Sequence, residues 1–152
     1  MATKRRFKSA DSYETSELLE TQGVWLDFEG FSIKVARAGG ANKAFEKAYN
    51  AKMKPLLTLS RGNLMNIPTD RQHKVNMECW AEHVVLDWTV VEILEDDGSL
   101  EIEQDVPCTY ENVVEFFEEY PEVFNEVVSY SGNYRNFLQS LVDAVVGNSK
   151  RS

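Results

Sequence analysis

Two histidines, two cysteines and a dense set of carboxylates are the residues of this 152-residue chain that could do chemistry. His73 and His83 stand ten positions apart, which puts them on one side of a helix but about 15 Å along it, too far to share a metal ion. Cys79 and Cys108 are too widely spaced for a close zinc or redox pair, and Cys79 falls inside a helical pattern, so both read as reduced thiols. Asp96, Asp97, Glu101, Glu103 and Asp105 gather negative charge, but not at the spacing of a calcium-binding EF-hand loop. Glu115, Glu118, Glu119 and Glu122 read as a solvated helix face rather than a catalytic pair. Gly39-Gly40 has neither of the phosphate-loop spacings and reads as a hinge. With no nucleophile placed beside a base, the expectation is a non-enzymatic protein with no catalytic residue, no cofactor and no metal, acting by binding other proteins.

Charge narrows the choice of partner. The net charge is −9, and it is segregated: residues 1–74 carry 13 Lys/Arg against 8 Asp/Glu, or +5, while residues 75–152 carry 3 against 17, or −14. A bipolar chain suits charge-steered protein contacts and head-to-tail self-association. Its acidic half would repel nucleic acid, and the basic stretch Met1 to Lys8 is too short for a binding face. No run approaches the roughly 20 apolar residues that cross a bilayer, and Met1 to Lys8 lacks the apolar core of a signal peptide, so no membrane association and a cytoplasmic location are expected.

The elements that would position these residues follow from periodicity. Residues 1–22 are polar and aperiodic and predict a flexible N-terminal arm, with at most one helical turn around Ser16 to Glu20. A single domain is expected over 23–147, followed by a loose tail, 148–152. Val24, Leu26 and Phe28 alternate with polar neighbours before Glu29-Gly30, and Phe31, Ile33 and Val35 alternate after it. A two-residue loop then pairs Phe28 with Phe31, Leu26 with Ile33 and Val24 with Val35, all apolar and on one face. Trp25, on the more polar face opposite Lys34, either packs under a neighbouring element or presents an aromatic surface.

Helices follow the hairpin. Asn42 can cap one carrying Phe45, Ala48, Tyr49 and Met53, which Pro55 should stop or kink near Met53. A second should open at Pro68 with a capping box between Thr69 and Gln72, and carry one core stripe of Met77, Trp80, Ala81, Val84, Val85, Trp88 and Val91. Glu95 to Gly98 reads as a turn and Leu100 to Val106 as a short edge strand. Helices from Thr109 and from Pro121 are expected, then one from Tyr134 to Gly147. The fold class is mainly α (α+β), an N-terminal β-hairpin packed on a bundle of about five helices.

The run Gly23-Val24-Trp25-Leu26-Asp27-Phe28, then Phe31-Ser32-Ile33-Lys34-Val35-Ala36-Arg37-Ala38-Gly39, then Asn42 and Phe45, resembles the opening of bacteriophage tail assembly chaperones. Later landmarks fall in a similar order: Lys54-Pro55, the Trp-containing Val85-Leu86-Asp87-Trp88, the turn Asp96-Asp97-Gly98 and the helix start Thr109-Tyr110-Glu111-Asn112. The resemblance covers residues 23–140, with the leading arm and an insertion at Leu100 to Cys108 as departures. It implies a protein of the host cell cytoplasm that binds the tape measure protein, recruits tail tube subunits and is absent from the finished virion. Trp25, Arg37, Asn42 and Phe45 are then the expected protein-binding residues. The competing readings are a structural virion component, such as a neck or tail-completion protein, and a small enzyme or regulator with a pocket of convergent polar groups.

Overall fold

In a computed structural model of the chain, which describes residues 5–95, 98 and 100–144, the first two strands meet across Glu29-Gly30. β1 (Val24–Asp27) and β2 (Ser32–Val35) are antiparallel, with Val24 opposite Val35, Trp25 opposite Lys34, Leu26 opposite Ile33 and Asp27 opposite Ser32. This is the register that the alternation predicts. The Phe28 amide donates to the Phe31 carbonyl at 2.8 Å, and the two rings stack with centroids 4.8 Å apart. Gly30 has φ +88° and Glu29 has no positive φ, the signs of a type II turn, in which glycine suits the third position.

A third strand, β3 (Val85–Trp88), joins the free edge of β2, giving a sheet in the order β1-β2-β3 with a bulge at Lys34/Val35. This corrects the continuous helical stripe expected through Val91: the helix α3 (Thr69–His83) ends at His83. Steps of three and four fit a bulged strand as well as a helix, and the run from Val84 to Val91 is rich in β-branched residues. The exposed edge of β2 decides the matter by supplying partners. The Ala36 amide donates to the Val84 carbonyl at 2.8 Å and the Thr89 amide to the Ser32 carbonyl at 2.9 Å.

Val91 leaves the core and opens a separate ribbon, in which β4 (Val91–Glu95) pairs antiparallel with β5 (Glu101–Asp105). The expected edge strand is therefore present as β5, and β4 is its unforeseen partner. Gly98 lies in a turn, while Asp96 and Asp97 of the predicted turn lie outside the described residues.

The helices are α1 (Glu17–Gln22), α2 (Lys43–Leu59), α3, α4 (Tyr110–Glu119) and α5 (Pro121–Gly132). Helix α2 runs through Pro55 instead of stopping near Met53. Ala51, whose carbonyl loses its bond four residues before the proline, is exposed, so water can satisfy the oxygen. The capping box at Thr69 is not formed. Pro68 stands at the cap, its carbonyl accepts from the Arg71 and Gln72 amides, and the Gln72 side chain donates back to the Leu64 and Ile67 carbonyls. Thr109 and Pro121 open α4 and α5 as their types predict. The last helix is interrupted: a 3-10 turn over Tyr134–Phe137 precedes Leu138, and 139–144 are helical. Its expected end, Val145 to Gly147, and the tail 148–152 lie outside the described residues, as do Met1 to Lys4 of the arm.

The arm departs from expectation in its second part. Ser16 caps α1, its amide donates to the Phe137 carbonyl at 2.8 Å, and the Gln139 amide donates to the Glu14 carbonyl at 2.8 Å. These pairings dock residues 14–22 against the body, because backbone groups near Leu138 are available to a neighbouring extended segment.

The core gathers Ile33, Val35, Val84, Val113, Phe117 and Val127 between the sheet and α3, α4 and α5. Trp88 is buried and its indole donates to the Val106 carbonyl at 2.6 Å. Trp80, partly buried, meets Phe45 and Phe124 edge-on and donates to the Ser131 hydroxyl at 2.9 Å. Lys52 of α2 reaches Glu78 of α3 at 2.8 Å, and that hydrogen bond, against the effect of burial, raises the Lys52 pKa. Both cysteines are free; burial, with a smaller contribution from Asp87, pushes the Cys108 thiol up to about 11.

Two outcomes test this packing. Pro55→Ala restores a helix bond without touching the core and is expected to stabilise the protein by about 1–3 kcal/mol in urea unfolding; a loss of stability would contradict a mid-helix proline. Alkylation of Cys108 by iodoacetamide, followed by peptide mass spectrometry, is expected to run at least about tenfold slower at pH 8 than for a free thiol and to accelerate toward pH 11 as the thiolate forms. A rate equal to that of a free thiol would exclude the burial described.

Candidate functional site

Three of the four residues expected to meet a partner turn inward. Glu20 of α1 is only 3% exposed and forms an ion pair with Arg37, while the Arg37 amide donates to the Glu20 carbonyl at 2.9 Å. Thr15 donates a further hydrogen bond to the Glu20 carboxylate at 3.2 Å. A buried carboxylate needs such partners, since an unpaired charge is costly to desolvate. Gly40, at φ +55°, leaves room for this pair: a Cβ there would run into the Glu20 carboxylate.

Asn42 is equally committed. Its Nδ2 donates to the carbonyls of Arg37 and His83, each at 2.9 Å, and its Oδ1 accepts from the Phe45 amide at 3.4 Å. Phe45 is 6% exposed and packs against Trp80 and Tyr49. Trp25 is the exception: 45% exposed, it shares the outer face of the sheet with Lys34 and Asp87 and presents an aromatic surface. Of the four, only Trp25 offers a substantial contact area.

An opening lies where the β4–β5 ribbon leaves the body. A groove of 470 Å³ is bounded by Trp88, Val90 and Val106, by Val91, Glu92 and Ile93 of β4, and by Asn112, Glu115, Phe116, Glu119 and Tyr120 on α4 and its end. A second hollow of 250 Å³ shares Val90, Val91, Phe116 and Tyr120 and extends to Gly30, Phe31 and Val123. Together they form one trough with an aromatic floor, in which Phe116 meets Phe31, Trp88 and Tyr120 at centroid distances of 5.6, 5.4 and 5.1 Å. The ribbon beside it is exposed throughout and carries Ile93, Leu94 and Ile102 to the surface. Apolar side chains are thus exposed along both the trough and the ribbon, beside carboxylates at the rim.

The cleft closest in kind to an active site lies between α3 and α4. It encloses 360 Å³ among Asp70, His73, Lys74, Met77, Glu78, Tyr110, Val114 and Glu118. His73 stands edge-on to the Phe124 ring, and among the described residues no hydrogen bond ties it to a carboxylate or hydroxyl. Burial, then the nearby Glu78 carboxylate, pushes the Tyr110 phenol up. Among the described residues no group of three or more His, Cys, Asp or Glu is placed to hold a metal ion, and no helix is long and apolar enough to cross a membrane.

The sequence contained one readable signal for the trough. Phe116 and Tyr120, and Glu115 and Glu119, recur at i, i+4, so α4 carries an aromatic edge beside an acidic one. The other wall could not be found that way, because it depends on β4 leaving the helix expected there.

The sequence profile of the family described as YdaY prophage protein matches residues 40–148. The match begins after the hairpin, so it includes Asn42, Phe45 and most of the trough but not Trp25 or Arg37. No curated protein and no solved structure matches the chain.

Removing Arg37 leaves Glu20 buried and unpaired. Arg37→Met is expected to cost about 3 kcal/mol in urea unfolding, with part of the loss recovered in Glu20→Gln/Arg37→Met. Trp25→Ala should cost less than about 1 kcal/mol because its ring is half in solvent. Equal effects at Arg37 and Trp25 would mean that the ion pair does not secure α1.

Proposed function

The chain belongs to the YdaY prophage protein family, and from that premise we propose that it is a phage tail assembly chaperone. In this reading it is a non-enzymatic protein of the host cell cytoplasm that needs no cofactor. It binds the tape measure protein, recruits tail tube subunits and is left out of the finished virion. The observation that carries the proposal is the aromatic trough beside the exposed ribbon, a surface suited to an apolar segment of another protein.

The landmarks of the tail-chaperone resemblance add support because they occupy structural positions. The paired hairpin, the Asn42-capped α2, the buried Trp88 and the Thr109-capped α4 build one connected body. Phage origin agrees with the family match.

Co-expression with the tape measure protein encoded by the same prophage tests the proposal. The two proteins should co-purify, and the soluble fraction of the tape measure protein should rise severalfold. Absence of both effects, or recovery of this chain at stoichiometric copy number from purified virions by mass spectrometry, would overturn the chaperone role.

A further inference from the structure

Among the described residues, the rim of the trough is acidic and holds no Lys or Arg. Glu92, Glu115 and Glu119 line it, no Lys or Arg does, and none of the three carboxylates takes part in an ion pair among the described residues. Glu115 and Glu119 stand one helical turn apart, about 6 Å between their Cβ atoms, along one wall. The ribbon extends the same field: its register places Glu101, Glu103 and Asp105 of β5 on the face that also carries Val91 and Ile93.

From this pairing of chemistries we propose that the trough takes a cationic amphipathic segment of a partner protein. Its two or three large apolar side chains would rest on Phe116, Tyr120 and Val91, with Lys or Arg on its flanks against Glu115 and Glu119. The inference rests on the protein-binding reading given above and specifies the chemistry of what is bound. A polyanion is excluded by the three carboxylates. A purely apolar segment would leave them unanswered, so charge complementarity selects the cationic one. Exposed ion pairs contribute little to affinity one by one, so the aromatic floor supplies most of the binding strength. The rim decides which segment arrives and how fast.

The test uses the full chain and two fluorescein-labelled designed helices with the same leucine positions, one filled in with lysine and the other with glutamate. Fluorescence anisotropy should show binding of the lysine helix only. The affinity should fall about tenfold in Glu115→Lys/Glu119→Lys and stay within about twofold in Glu122→Lys/Glu126→Lys, which changes the net charge equally on α5. Tyr120→Ala, at a half-exposed ring, should weaken binding severalfold and provides a second reading if the charge reversals disturb folding, as judged by circular dichroism. Equal weakening by the two double variants, equal binding of both helices or no binding of the lysine helix would overturn the proposal. Failure of the tape measure protein to co-purify, with the anisotropy pattern intact, would instead remove the chaperone role and leave the trough's preference standing.

Discussion

The Asn42 side chain fixes the meeting point of the sheet exit, the start of α2 and the end of α3. Two N–H groups answer the Arg37 and His83 carbonyls while the oxygen receives the Phe45 amide, and no other side chain of that length offers two donors and an acceptor together. Because Phe45 follows within the first helical turn, the same clasp aims its ring at Trp80. Arg37, held at its carbonyl by Asn42, is held at its guanidinium by Glu20, so α1 is tied to the same point. The order of the bundle propagates from here: sheet, α1, α2 and α3 share one junction, and α4 and α5 close over the residues it positions.

The parts that could be read from the sequence are those in which one local pattern has a single solution. Alternation on both sides of Glu29-Gly30, closed by a two-residue loop, puts Val24, Leu26, Ile33 and Val35 on a common face, and that pairing is observed. The cap at Asn42, the cap at Thr109 and Pro121 at a helix start are likewise local. The failures share a different cause. Val84 to Val91 satisfies helix and bulged strand alike, and only the free edge of β2, some fifty residues upstream, tells them apart. The burial of Glu20 likewise depends on a distant partner, Arg37, which the docking of α1 brings to it.

That distinction bears on three of the expected binding residues, Phe45, which is buried, and Arg37 and Asn42, which are half-buried. A motif with several specific side chains in a short span can be specific because it builds the fold rather than because it meets a partner. Arg37, Asn42 and Phe45 have their polar and apolar groups engaged within the chain. The available surface arises instead where packing is left unfinished. β4 departs from the sheet after β3 and pairs with β5, so Phe116, Tyr120 and Val90 lie beside an opening that no further element covers among the described residues.

Segregated charge gives that opening a direction. Apart from Gly30 and Phe31, the lining of the trough lies in the acidic half of the sequence, and among the described residues no Lys or Arg lines it. An acidic rim discriminates by repulsion as well as attraction, turning away anionic tracts that would fit the floor by shape alone.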